Sequence, residues 1–318
     1  MTKLLIIKPS SLGDIVHGLQ LAAAIREQID CRITWVAREV FAPLVEASTV
    51  IDRTLVFERR GGLGGFRRLL GKVREDDYEA VLDLQGLART GLLTVFARSR
   101  KKFGRSDARE WAGFAYTKTA ALPPNGRASH AVDILMEFIP LLGLEKRESG
   151  PLAFRRISMR EDWKDFVAKH GAPILLFPGS RRAEKVWPGF AALTERFLEK
   201  CPETPVVWLG SERVATSLAG ERFLNLAGQT TLPELIPWIE ASSWTVANDS
   251  GPMHLAAAMR KRTVGLFGPT DPSRYGPYPP AAPTNFVIRA PEGNLDRLEP
   301  GPVFELLMSE SGGGEEDV

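Results

Sequence analysis

The chain is poor in cysteine and has no long hydrophobic run. Cys31 and Cys201 are its two cysteines in 318 residues. They lie far apart and build no metal or redox motif, so both are expected to be reduced thiols in a cytoplasmic protein. No stretch approaches the roughly 20 apolar residues that a membrane-spanning helix needs. The opening MTKLLIIKPSS has a short apolar run that reads as a strand, and no secretory signal is expected there. Two glycine fingerprints are missing as well. No G-x-G-x-x-G follows the first strand, which removes the main support for a dinucleotide-binding dehydrogenase. Gly71-Lys72 runs into Val73, where a phosphate-binding NTPase loop needs Ser or Thr. The run Gly61–Gly65 follows a basic segment and reads as a mobile loop.

What is present is ordinary for a globular protein: 44% hydrophobic and 25% charged residues. The length exceeds what one hydrophobic core usually spans, so two domains are expected. Charge is uneven along the chain. Residues 1–150 carry 23 Lys+Arg against 18 Asp+Glu, and residues 151–318 carry 18 against 21. A basic first half suits an acidic partner, although Glu315, Glu316 and Asp317 alone account for the acidic second half.

Short apolar runs alternate with amphipathic stretches. Strands are expected at Leu4–Lys8, Ile33–Val36, Val81–Leu84, Ile174–Phe177, Val206–Leu209, Thr245–Ala247 and Thr263–Phe267. Several are continuously apolar, as parallel strands buried on both faces are. Helices are expected at Ile15–Ile29, Asp133–Leu144, Glu161–Lys169, Phe190–Leu198, Leu232–Ile239, Pro252–Met259 and Val303–Met308. The alternation argues two doubly wound α/β domains. The boundary is expected at Gly150–Pro151, giving one domain over 1–150 and a second over 151–308. Gly268–Pro283 reads as a loop, and 309–318 as a disordered tail.

Three strand-to-helix turns can carry chemistry. The first is Lys8-Pro-Ser-Ser-Leu-Gly-Asp14. Ser10 or Ser11 can cap the helix that follows. Asp14 falls in its first turn, where the helix dipole favours a carboxylate able to accept a proton. From that residue alone, an ordinary first-turn acid is the favoured reading. The second is Phe177-Pro-Gly-Ser-Arg-Arg-Ala-Glu-Lys-Val-Trp-Pro188, with Ser180, Arg181, Arg182 and Lys185 in the turn. Cations and free N–H groups there suit a diphosphate. The third is Asn248-Asp-Ser-Gly-Pro-Met-His254, where Asp249 or Ser250 can cap and the N–H groups of Ser250 and Gly251 would meet an anion. A lone helical histidine is ordinarily structural, but His254 sits beside a polar turn.

In order and with this spacing, KPSSLGD, DLQGLART, PGSRRAEKVWP, NDSGPMHLAAA and LFGPTDP resemble the ADP-heptose:lipopolysaccharide heptosyltransferases, glycosyltransferase family nine, closest to the heptosyltransferase I type. The resemblance covers nearly the whole chain. It implies a GT-B fold, with two Rossmann-like doubly wound domains facing a central cleft. It implies inverting, metal-independent transfer of heptose from ADP-heptose onto Kdo or heptose of the lipopolysaccharide inner core. Asp14 is then the general base, with Ser11 at the reaction centre among the donor contacts. Ser180, Arg181 and Lys185 would meet the diphosphate and Asn225 the ribose. Asp249, Ser250, Gly251 and His254 would hold the phosphates and donor sugar. Arg59, Arg60, Arg89, Arg109 and His130 would meet the anionic glycolipid acceptor. No metal, cofactor or nucleic acid is expected. A monomer in peripheral contact with the cytoplasmic face of the inner membrane is expected.

Three rivals remain at this point: a transferase of the same fold using another nucleotide sugar, a nucleotide-sugar epimerase, and a non-catalytic binding protein. An epimerase needs acid/base groups on both faces of the sugar, and Asp14 alone is persuasive.

Overall fold

The computed structural model describes residues 1–311. They form two compact units, Met1–Arg156 and Ile157 onward. The first unit runs past the expected boundary because residues 151–156 pack back onto it. Phe154 bridges to Ser48, and the backbone N–H of Arg155 donates to Ala47 O at 2.7 Å. The Arg155 guanidinium also donates to the carbonyls of Glu46, Ser48 and Ile51.

The first unit contains β1 (Thr2–Ile7), α1 (Leu12–Arg26), β2 (Cys31–Arg38), α2 (Ala42–Ala47), β3 (Arg53–Phe57), α3 (Gly62–Val73), β4 (Ala80–Asp83), α4 (Ala88–Phe96), β5 (Lys101–Arg105), β6 (Lys118–Ala120) and α5 (Ala131–Met136). The second contains α6 (Glu161–His170), β7 (Ile174–Phe177), α7 (Phe190–Lys200), β8 (Val206–Trp208), β9 (Phe223–Asn225), α8 (Leu235–Ala241), β10 (Trp244–Asn248), α9 (Gly251–Ala258), β11 (Thr263–Phe267), α10 (Pro272–Tyr275), β12 (Asn285–Arg289) and α11 (Pro300–Ser311).

Each unit is a six-stranded sheet, in order β3-β2-β1-β4-β5-β6 and β12-β11-β10-β7-β8-β9. All strand pairs are parallel. The chain winds outward from β1 to β3 and then restarts at β4 on the other side. It does the same from β7 to β9 and then β10. Each sheet therefore has one switch point, between β1 and β4 and between β7 and β10, where open α/β sheets hold ligands.

All seven expected strands are present, and those at the sheet centres are mostly apolar and buried. The expected set lacked β3, β5, β6, β9 and β12. Four of these are edge strands and β5 lies beside one. Edges bury less of each residue, so a sequence such as Lys118-Thr-Ala120 carries no continuous apolar run.

Among the helices, α1 is buried all round from Ile15 to Ile25, which its apolar composition requires. The single helix expected over Asp133–Leu144 ends at Met136 and is followed by a 3-10 turn at Ile139–Leu142, with Pro140 at its start. The glycine run expected as a mobile loop instead opens α3, behind a 3-10 turn at Arg59–Gly61. The expected Gly268–Pro283 loop contains the single turn of α10. Helix α11 extends to Ser311, so 309–311 are helical where the tail was expected to begin. The rest of that tail, 312–318, lies outside the described residues.

Candidate active site

In the first unit the candidate residues follow strand ends on one edge of the sheet. Asp14 comes after β1, Arg59 and Arg60 after β3, Arg89 after β4 and Arg109 after β5. Because the strands are parallel, all these turns lie at the same carboxyl edge. The four arginines are exposed. Two hydrogen bonds tie the last two turns together: Arg109 N–H to Gly86 O at 2.9 Å and Ala88 N–H to Glu110 Oε2 at 3.1 Å. Arg89 and Arg109 are thus on neighbouring segments.

Ser11 caps α1, and Asp14 is the third residue of the helix. The Asp14 Oδ2 accepts from the Ser11 backbone N–H at 2.9 Å and from the Ser11 hydroxyl at 2.7 Å. This reciprocal closure is a capping box with Asp in the usual Glu place. The other carboxylate oxygen, Oδ1, lies 3.1 Å from Lys8 Nζ. The Lys8 side chain is 5% exposed and that of Asp14 is 45% exposed. Lys8 Nζ also donates to Leu84 O at 3.4 Å, across the switch point from β1 to the turn after β4. Burial by itself pushes the Asp14 carboxyl up. The Lys8 ammonium, both Ser11 hydrogen bonds and the nearby His17 outweigh burial and hold it well below the usual carboxylate range. Asp14 is thus a carboxylate at any physiological pH, open to solvent on one side.

His130 does not share the exposure of the arginines. It is buried, caps α5, and its Nδ1 accepts from Val132 N–H at 3.2 Å. Its ring lies 6.0 Å from that of His17, one turn along α1 from Asp14. The Asp83 of the DLQG stretch is fully buried. It accepts from the N–H groups of Gln85 and Gly86, each at 3.0 Å, and from Tyr116 Oη at 2.8 Å. Burial raises its carboxyl above the usual range, and the hydrogen bonds offset that only in part. Gly86, at φ +69°, completes this turn in the left-handed region that a side chain disfavours.

In the second unit, the turns after β7 and β10 meet at the switch point. Lys185 Nζ lies 2.5 Å from Asp249 Oδ2, and Thr270 Oγ1, in the turn after β11, donates to the same oxygen at 2.6 Å. Both members of the ion pair are largely shielded from solvent. Asn248, fully buried at the end of β10, accepts from Trp187 N–H at 3.0 Å and donates to Phe177 O at 3.3 Å. It clamps the Lys185 turn to β10. Ser250 is the N-cap of α9, with Gly251 its first residue. No side chain caps this end, and first-turn N–H groups have no partner within their helix. The Ser250 hydroxyl is itself buried with no hydrogen-bond partner. A buried orphan hydroxyl beside uncapped N–H groups and a lysine is a place prepared for an anion.

The remaining donor candidates are more scattered. Ser180 is half-buried and Arg181 exposed in the same turn as Lys185. Arg182 is paired with Glu184. His254 is buried one turn into α9. Asn225 ends the edge strand β9, and its amide is engaged locally: Nδ2 donates to Val214 O at 2.8 Å and Oδ1 accepts from Ala227 N–H at 3.1 Å. Among the described residues, no group of three or more His, Cys, Asp or Glu side chains is placed to hold a metal ion. Among the same residues, no helix is long and apolar enough to cross a membrane.

Sequence reasoning missed Lys8, Asn248 and Thr270. Lys8 had a readable signal, a lysine closing an otherwise apolar buried strand one step before a polar turn. Asn248 and Thr270 became meaningful only when the sheet order brought three separate turns together.

The comparisons agree with this arrangement. Residues 66–300 match the model of glycosyltransferase family 9 (heptosyltransferase). The chain is 29% identical over 296 residues to lipopolysaccharide heptosyltransferase 1 of Pseudomonas aeruginosa, covering 87% of this chain and 81% of that protein. It is 25% identical to lipopolysaccharide heptosyltransferase 1 of Escherichia coli K12, covering 96% and 99%. The structure of E. coli heptosyltransferase WaaC with ADP aligns over 97% of this chain and 99% of that one, with a TM-score of 0.78 at 22% identity, which supports the same GT-B fold. The chain therefore belongs to glycosyltransferase family 9, the heptosyltransferases, and is a glycosyltransferase.

Proposed function

We propose that this enzyme transfers heptose from ADP-heptose, with inversion, onto the Kdo or heptose of a lipopolysaccharide inner core. The observation that carries the reading is the half-exposed, firmly ionised carboxylate of Asp14 at one switch point, matched by the Lys185 and α9 anion cradle at the other. The relatives' names supply the sugar and the acceptor class.

In this reading the second unit binds the donor. Lys185, the α9 N-terminus and the Ser250 hydroxyl hold the diphosphate, with Ser180 and Arg181 beside them. Asp249 and Thr270 keep the lysine aimed. Asn225 lies by the ribose and His254 by the donor sugar. The first unit binds the acceptor through Arg59, Arg60, Arg89 and Arg109, whose planar forks suit carboxylate and phosphate oxygens. The acceptor hydroxyl oxygen attacks the anomeric carbon through an oxocarbenium-like state. Its bond to that carbon forms as the bond to the ADP oxygen breaks, and ADP leaves with the electron pair. The hydroxyl becomes acidic only as it bonds to carbon, so its proton passes late to Asp14. A weakly basic carboxylate is then sufficient. Lys185 and the helix N–H groups stabilise the charge developing on ADP, a role that needs no metal.

His130, buried on its cap, and Ser11, committed to Asp14, act in this reading by shaping the acceptor side and aiming the base. The test is incubation with a panel of nucleotide sugars, with and without acceptor. Acceptor-dependent ADP release from ADP-heptose, with the product anomer inverted by NMR, is the expected result. Turnover of a UDP- or GDP-sugar instead would move the enzyme to another donor. Sugar isomerisation without acceptor would move it to the epimerases.

A further inference from the structure

Trp111 is 91% exposed and Phe114 is 64% exposed, on the segment that follows β5. An indole left open to water is unusual, and this one is not on a loose loop. Glu110 and Trp111 are both left-handed, with φ of 53° and 63°, a conformation that costs free energy in residues with side chains. The segment is fixed on either side of them. Arg109 N–H donates to Gly86 O, Glu110 accepts from Ala88 N–H, and Phe114 N–H donates to Trp111 O. A Cβ on Gly91 of α4 would come within 3.2 Å of Ala112, so the helix and the segment lie in close contact. The fold thus holds a strained backbone that presents Trp111 outward.

Helix α4 continues the same character. Leu92, Val95 and Phe96 are its exposed apolar residues, at the spacing of one helix face. Cations lie on the same and adjoining segments. Arg98, Arg100 and Lys118 are exposed, as are Arg89 and Arg109. The acid within the segment, Glu110, is engaged by the Ala88 N–H.

We propose that this face, α4 with the Arg109–Tyr116 segment, docks on an anionic bilayer surface with Trp111 and Phe114 at headgroup depth. Exposed aromatics with exposed Lys and Arg on the same and adjoining segments match an interface that is apolar below and negatively charged at its surface. The occupant rests on the glycolipid reading above, since such an acceptor is itself held in a bilayer.

The test is co-sedimentation with vesicles of phosphatidylglycerol and phosphatidylcholine, and with phosphatidylcholine alone. The wild type should bind the anionic vesicles and lose binding as salt rises. Trp111→Ser with Phe114→Ser should weaken that binding about tenfold or more, with melting temperature and ADP affinity unchanged. Arg98→Ser with Arg100→Ser should reduce the preference for anionic over neutral vesicles. Unaltered binding by the Trp111/Phe114 variant overturns the proposal. So does concentration-dependent dimerisation that this variant abolishes, which would make the face a contact with a second copy. Transfer to a water-soluble, deacylated acceptor separates the two readings. If it persists while vesicle binding is absent, the docking face alone falls. If vesicle binding behaves as stated while no heptose moves, the face stands and the acceptor reading falls.

Discussion

Lys8 Nζ stands 3.1 Å from Asp14 Oδ1, reaching it from a side chain that is 5% exposed. A buried ammonium needs a partner, and Asp14 with the Leu84 carbonyl supplies one. In return the lysine lowers the basicity of the residue proposed to take the proton. The pair holds the carboxylate in one place and one charge state.

That coupling has a pH signature. Replacing Lys8 with Met keeps the volume and removes the charge, leaving burial to push the Asp14 carboxyl up. The acid limb of the kcat/KM profile should therefore move to higher pH, with transfer at pH 5 falling more than transfer at pH 8. Stability follows the same sign. A carboxyl depressed in the folded state stabilises the protein above its unfolded pKa of about 3.9 and loses that contribution as pH falls. The stability gap between wild type and Lys8→Met, measured by urea denaturation, should shrink below about pH 4. An unmoved acid limb would show that Lys8 does not tune Asp14.

Lys185 is a prediction about binding. Its ammonium is already aimed by Asp249 and Thr270. Lys185→Ala should weaken ADP binding by about 1.5–3 kcal/mol, roughly ten- to a hundredfold, in titration calorimetry. Unchanged affinity would remove Lys185 from the diphosphate site. Chelation with EDTA should leave both ADP affinity and turnover as they were if, as proposed, the lysine and helix N–H groups carry the charge.

Asp83 is a prediction about architecture. Its carboxyl is raised by burial, so its ionisation is disfavoured in the folded state, and stability is lost as pH rises through that raised value. Asp83→Asn keeps an acceptor for the Gln85 and Gly86 N–H groups and should be mild. Asp83→Ala leaves them and Tyr116 without a partner and should cost about 1–3 kcal/mol per orphaned group. Equal denaturation midpoints for the two variants would contradict this role.

The centre of each unit was legible because fully buried parallel strands are apolar along their length, as in Ile174-Leu-Leu-Phe177. The edges were not, because β3, β6, β9 and β12 bury too little to leave a pattern. The turns at β1, β7 and β10 were legible as motifs, but their partnerships were not. Lys185 and Asp249 are 64 residues apart in sequence, and only the strand order brings them together. Asn225 and His130 were implied as ligand contacts by the family resemblance alone. The structure places their polar atoms in local turns and caps, which no linear pattern reveals.

The most direct measurement is acceptor-dependent ADP release from ADP-heptose by the Asp14→Asn variant beside the wild type, with ADP affinity measured on both. The account predicts equal ADP affinity and a loss of turnover of about 10²–10⁴-fold. Turnover by Asp14→Asn at the wild-type rate would contradict it.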